Sequence, residues 1–293
     1  KNHNKILPIK KDVKSVAVIG PFANDKDTPL GNWRGKAVYN SAVSLLEGVK
    51  TKVSKNTKVF YEKGVAVNIP TIKPGKNQFM HPLKIENKDR TGIAKAVAVA
   101  KKADVVFLAI GEHAYQSGEG RSRVDIGFAG LQNELLEAIY KVNKNVVIVL
   151  SAGRPMDISK ASKTVPGILL SWHLGSESGN AIADVLFGDY NPSGKLPVSF
   201  PRNVGQEPLY YNQKNTGRPF SDKFVTYSGY EDVKKTPLYP FGFGLSYTTF
   251  SYDNLRVSAN EINKNGLVEL SVDIKNTGNV FGEEGIKNFI LHR

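Results

Sequence analysis

Between residues 14 and 201 short apolar runs alternate with longer amphipathic ones, the pattern of an α/β domain. Strands are predicted at 15–20 (SVAVIG), 58–61, 105–111 (VVFLAIG), 146–151 (VVIVLS) and 167–172 (GILLSW). The central runs are apolar at every position, as suits parallel strands covered on both faces; a sheet wetted on one face would alternate. Helices are predicted at 41–49, 91–103, 130–142 and 179–187. In the third, Leu131, Leu135, Leu136 and Ile139 recur at helical spacing, with Gln132, Glu134 and Glu137 on the side away from the core. Residues 68–90 lack periodicity and hold several Pro, Lys and Asn, which predicts a surface insertion.

After Gly194 the texture changes to Pro, Gly, Tyr and Asn, an irregular aromatic stretch of the kind that wraps a neighbouring surface. Alternation returns near Tyr252, and Val268, Leu270, Val272 and Ile274 fall on one face, as in the opening strands of an antiparallel β-sandwich. The residues left are fewer than the roughly 100 that an immunoglobulin-like sandwich needs. The expected fold is therefore α/β, a mostly parallel sheet sandwiched by helices, followed by an incomplete β-sandwich segment. The expected divisions are 1–14, 15–201, 202–251 and 252–293.

Composition narrows the classes. A length of 293 residues suits about two domains, and 40% hydrophobic with 23% charged residues is near the globular average. No apolar run approaches the ~20 residues of a membrane helix. The formal charge of +13 is spread along the chain (Lys10, Lys50, Lys101, Lys234) and is not interleaved with aromatics, so a lysine-rich solvated surface is expected and no nucleic-acid partner. Residues 1–14 are polar, without the apolar stretch of a secretory leader, and the chain does not begin with Met, so its natural start is expected further upstream. Without cysteine there are no disulfides, thiolate metal sites or thiol nucleophile.

Several chemistries lack their motif. VAVIGPFAN starts like a dinucleotide-binding turn, but Pro21 stands where a phosphate-binding glycine belongs, and neither GxxxxGK[ST] nor GxSxG occurs. His81, His113, His173 and His292 are too scattered for a metal triad. No cofactor is expected.

The loop after strand 105–111 holds the candidate chemistry. Gly118 and Gly120 leave the backbone of Glu119 unshielded, able to approach a ligand closely. A carboxyl group so placed is suited to protonate a leaving oxygen and then activate water; by spacing alone, a solvated loop glutamate is the commoner outcome. Glu112, directly after the strand, is the rival, with an ordinary strand-end role as its default. Trp33, in the loop after the first strand, is either a stacking platform for a sugar ring or a side chain packed under its loop. Arg34, Arg121 and Arg123 suit sugar hydroxyls or a pair with Glu119, with surface or domain contacts as the default. Asp157, Glu177, Asp184 and Asp189 are assigned to caps and turns, and Trp172 to the core.

The segments SVAVIGPFAND, PLGNWRG, VVFLAIGEHAYQSGEGRSRVDI, GRPMDI, GNAIADVLFGDYNPSGKLPVSFP and YPFGFGLSYTTF, in this order, resemble family 3 glycoside hydrolases, above all bacterial periplasmic β-glucosidases. The resemblance implies a (β/α)8 barrel with the nucleophilic Asp, then an α/β sandwich with the acid/base, and often a fibronectin type III-like domain. On that pattern residues 1–14 are the linker from a missing barrel, 15–201 the sandwich, 202–251 the wrapping segment and 252–293 a truncated third domain. It makes Glu119 the acid/base and Trp33 a platform beside the leaving sugar. It implies retaining hydrolysis of a β-glucoside or short oligosaccharide in the periplasm or outside the cell, the chain alone being inactive. A freestanding sugar-binding or interaction module is the alternative.

Overall fold

The computed structural model describes residues 1–69, 83–214, 217–218, 229–259 and 261–286. Seven strands belong to the first part of the chain: β1 (Ser15–Ile19), β2 (Lys58–Glu62), β3 (Asn68–Ile69), β4 (Lys84–Ile85), β5 (Val105–Gly111), β6 (Val146–Ser151) and β7 (Gly167–Leu170). Five helices lie among them: α1 (Leu45–Lys52), α2 (Thr91–Ala100), α3 (Gln132–Val142), α4 (Ser159–Thr164) and α5 (Ser178–Leu186). β8 (Phe250–Val257) and β9 (Leu270–Asn276) follow.

The main sheet has the order β2-β1-β5-β6-β7 and every neighbouring pair is parallel. The strands are apolar at successive positions because both faces are covered. Ala17, Ile19, Leu108, Ile110, Ile148 and Leu150 meet α2, α3 and α4. Val16, Val18, Phe107, Ala109, Val147 and Val149 meet α1 and α5 on the other side. The result is the expected helix–sheet–helix sandwich. Helices α1 and α5 touch backbone to backbone: a β-carbon on Gly48 or on Gly179 would overlap a main-chain carbonyl of the opposite helix or its N-terminal turn.

The elements differ in detail from expectation. α1 begins at Leu45 because Ser44 caps it: Ser44 Oγ accepts from Glu47 N–H at 3.2 Å while Glu47 Oε2 accepts from Ser44 N–H at 2.9 Å. Gln132 is fully buried, against the expectation that it faces away from the core. The short helix α4, with one buried residue, has too weak a pattern to be read. Within the expected insertion β3 and β4 pair antiparallel, while residues 70–82 lie outside the described residues.

Beyond β7 the chain does wrap. Phe200 exchanges hydrogen bonds with Leu238 and Tyr239 at 2.8 Å, Leu196 donates to Phe243 O at 2.8 Å, and the Phe200 ring lies 5.9 Å from Trp172. Tyr247 donates its hydroxyl to Val185 O at 2.7 Å, and burial pushes its phenol up. β8 and β9 form a small antiparallel sheet of their own; beyond β9, Glu284 pairs at 3.0 Å with Lys195 of the α/β part of the chain.

Candidate active site

Strand order reverses between β1 and β5: the chain passes from β1 outward to β2 on one side and continues through β5, β6 and β7 on the other. Loops leaving the carboxyl ends of such a pair diverge and leave a crevice. The loop after β1 carries Trp33 and Arg34, and the loop after β5 carries Glu112, Glu119, Arg121 and Arg123, so the fold brings all six sequence candidates to one edge.

Their environments separate them. Glu112 is wholly buried. Its Oε1 accepts from Arg123 Nη1 at 2.8 Å, Arg154 Nε stands 3.0 Å from Oε1 and 3.3 Å from Oε2, and Gly153 N–H reaches Oε2 at 3.3 Å. A carboxylate with two guanidinium partners and a backbone donor has its acceptor sites filled. Glu119, seven residues on, is exposed, and among the described residues no hydrogen bond or ion pair engages its carboxylate.

The Glu119 loop is nevertheless anchored. Gly118 and Gly120 take φ of +106° and +67°, values that a β-carbon disfavours. At Gly118 a β-carbon would also overlap the Asn32 amide, whose Nδ2 donates to Ser117 O at 2.8 Å. Asn32 thus joins the Trp33 loop to the Glu119 loop. Trp33 is 71% exposed, which removes the reading that it packs beneath its loop. Arg34 is engaged elsewhere: Nη1 meets Asp27 Oδ1 at 2.5 Å, Nε donates to Gly31 O at 2.7 Å, and the guanidinium lies 5.0 Å over the Tyr115 ring. Arg123 is likewise spent on Glu112 and Gly127 O. Arg121 donates its backbone N–H to Gly118 O at 3.1 Å, closing the turn.

Residues that the sequence reading did not assign to the site lie around it. Gln132, at the start of α3, clasps Gly111: Gly111 N–H donates to Gln132 Oε1 at 2.8 Å and Gln132 Nε2 to Gly111 O at 2.9 Å. Arg154 sits between Glu112 and the far loop. His113 accepts from Tyr115 N–H through Nδ1 at 3.2 Å, and burial lowers its pKa. Trp172 turns the chain at φ +50° and the next residue, His173, lies against Gly153. Burial lowers the His173 pKa to about 4, against a smaller opposing effect of its hydrogen bond to the Glu112 backbone, and Asp25, His113 and Arg34 also act on it. The only signal in the sequence for Arg154 and His173 was polarity just past the ends of β6 and β7.

Other assignments fall as follows. Asp189 pairs with Lys11 and Lys52, and Asp184 with Lys52, as structural groups do. Asp157 accepts from Ser159 N–H at 3.0 Å in the turn that leads into α4. His81 and His292 lie outside the described residues, and no cluster able to hold a metal occurs among the described ones. A cleft of about 270 Å³ runs along β7; its lining is mostly apolar and holds no carboxylate.

Comparisons with known proteins agree with this geometry. Residues 1–247 match the model of the glycosyl hydrolase family 3 C-terminal domain. The chain is 41% identical to a periplasmic beta-glucosidase of Salmonella typhimurium and 38% identical to a beta-xylosidase of Formosa agariphila, in both cases over 99% of the chain and 38% of the relative. Among solved structures, a beta-glucosidase of Listeria innocua in complex with isofagomine superposes with a TM-score of 0.80 at 30% identity, covering 94% of this chain and 36% of that one. The chain thus spans about two fifths of these relatives' length. A matched family model over most of the chain, a sheet of the same fold and relatives well above 30% identity lead to one conclusion: this chain belongs to glycosyl hydrolase family 3 and corresponds to its C-terminal domain.

Proposed function

We propose that the chain supplies the general acid/base of a retaining, exo-acting glycosidase, with Glu119 as that group. The nucleophilic Asp then belongs to an N-terminal (β/α)8 barrel. One contrast carries this reading: of the two glutamates in the loop, Glu119 is exposed and unengaged while Glu112 is buried and fully paired. A group that gives a proton to a leaving oxygen must reach it, and a carboxylate enclosed by two arginines does not. Retention requires two carboxyl groups about 5 to 5.5 Å apart, so the barrel must bring its Asp that close to Glu119.

Trp33, exposed beside the same crevice, is the platform for the apolar face of a pyranose. Arg34 and Arg123 are struts, engaged with Asp27 and with Glu112. The substrate class is a terminal β-linked glucoside or short oligosaccharide, supported by relatives named beta-glucosidase, with a beta-xylosidase among them. The barrel builds most of the glycone pocket and hence chooses the sugar. The name of the Salmonella relative supports a periplasmic or extracellular location. No described helix is long and apolar enough to cross a membrane.

The decisive experiment uses the protein joined to its barrel. A poor leaving group needs the acid most, so Glu119→Ala should reduce turnover of a disaccharide about 10²- to 10⁴-fold and that of an activated aryl glycoside far less. Azide should restore turnover in this variant and yield a β-glycosyl azide. Azide rescue of Glu112→Ala, with ordinary disaccharide turnover by Glu119→Ala, would reverse the assignment.

A further inference from the structure

Glu119 projects from an exposed turn just past a single 3-10 turn (Ala114–Gln116), whereas an acid/base must stay within hydrogen-bond reach of one oxygen. Arg154 meets both ends of that loop. Its Nη2 donates to Gln116 O and, at 2.6 Å, to Arg121 O, the carbonyls that bracket residues 117–120. Its Nε faces the Glu112 carboxylate, which is fixed in turn by Arg123 and by Gly153 N–H. Gly153 leaves room beside it, since a β-carbon there would overlap Ser117 Oγ, so the loop rests directly on the turn that carries Arg154.

We infer that Arg154 is the positioning residue of the Glu119 loop: one guanidinium pins both loop ends to the buried Glu112 and holds the acid over the crevice. This rests on the proposed role of Glu119 only for its effect on catalysis; the pinning itself does not depend on that role. Only a planar fork with several donors in fixed directions meets a carboxylate and two carbonyls at once, and a lysine ammonium at the same place retains the charge without spanning them. Glu112 is thereby the anchor of the loop.

The test compares Arg154→Lys with wild type, first in the 293-residue chain. Two loop amides report on the pinning, Gln116 N–H bonded to His113 O at 2.8 Å and Arg121 N–H bonded to Gly118 O at 3.1 Å. Their hydrogen exchange should quicken about tenfold and tryptic cleavage after Arg121 should rise, while β5 and β6 amides and the melting midpoint stay near wild type. A role in overall stability alone would speed exchange across the sheet together with a fall in the midpoint, and would overturn the inference. So would unchanged exchange and cleavage at the loop in a folded variant. Arg154→Gln, which lacks the fork but is uncharged, is read the same way if the lysine variant does not fold.

In the protein joined to its barrel, Arg154→Lys should lower disaccharide turnover about tenfold while sparing an activated aryl glycoside, with little change in KM. A loosened loop with equal losses on both substrates would support the pinning and refute the reading of Glu119.

Discussion

At the scale of single residues, the edge of the sheet separates groups of one chemical type by what surrounds them. Glu112 and Glu119 differ in exposure and in partners, and the histidines beside them are half-buried, with His113 held at lowered pKa by desolvation. His173 has a testable consequence. Its folded pKa of about 4 lies below the ordinary value of 6.5, so between these values the unfolded chain binds the proton and the fold does not. Stability therefore falls as pH drops through that window, by about 2 kcal/mol from pH 7 to pH 5, and is unaffected by this group above pH 7. Urea midpoints at the two pH values should show the loss, and His173→Gln should remove most of it. A pH slope that the substitution leaves intact would assign the acid sensitivity elsewhere. Nothing in the sequence around SWHLG marked this histidine as buried, because its burial comes from Gly31, Gly153 and the Glu112 carbonyl, all distant in the chain.

At the scale of elements, the contact between α1 and α5 is the tightest constraint on the face opposite α3. Alanine is a better helix former than glycine, so Gly179→Ala would stabilise an isolated α5. In the folded chain its β-carbon meets the main-chain carbonyls of Val43 and Ser44, which cannot step aside as a flexible side chain does. The expected outcome is a net loss of about 2 kcal/mol in a urea melt, and a neutral or stabilising result would show that α1 slides freely on α5. β8 and β9 present the opposite case. A two-stranded sheet is marginal on its own, and most side chains of this one are exposed on both faces. Backbone amides from Leu255 to Ile274 should exchange well before those of β1, β5 and β6. Equal protection would mean that another segment or a second copy covers the hairpin. The parallel strands were legible because continuous Val, Ile and Leu runs have few other uses. The ends of α1 were not, since Ser44 and Glu47 form a capping box inside a stretch read as helix from residue 41.

At the scale of the whole molecule, the proposed function makes the crevice one half of a site that a barrel completes. Trp33, Val38 and Val124 are exposed at 71%, 72% and 88%, all on loops at the carboxyl edge of the sheet, where a partner surface is expected to cover them. If the nucleophile belongs to the barrel, as proposed, the chain alone should show no measurable turnover of an aryl β-glucoside, even at high protein concentration. Adding the barrel, in the same chain or separately, should restore it. Turnover by the purified chain that vanishes in Glu119→Ala would mean that the nucleophile lies within these 293 residues.

The five strands of the main sheet and their cover on both faces, four of the five helices and the family were determined by the sequence itself; α4, β3 and β4 were not. Each rests on neighbours close in the chain: a run of β-branched residues, a helical repeat, an unbroken motif such as GNAIADVLFGDYNPSGKLP. The division of labour among the polar residues was decided only by the tertiary structure. Gln132 sits at a polar position of an amphipathic helix and is nevertheless buried, because Gly111, 21 residues earlier, offers it both a donor and an acceptor. Glu112 and Glu119 lie in one loop and are separated in the sequence only by the family resemblance; their partners appear only when Arg123 and Arg154, 11 and 42 residues from Glu112, converge on the first and leave the second exposed. Periodicity reports which face of an element meets the core. It carries no information about charges in loops, whose partners are set by where the sheet ends, and at that edge the choice between strut and reactive group is made.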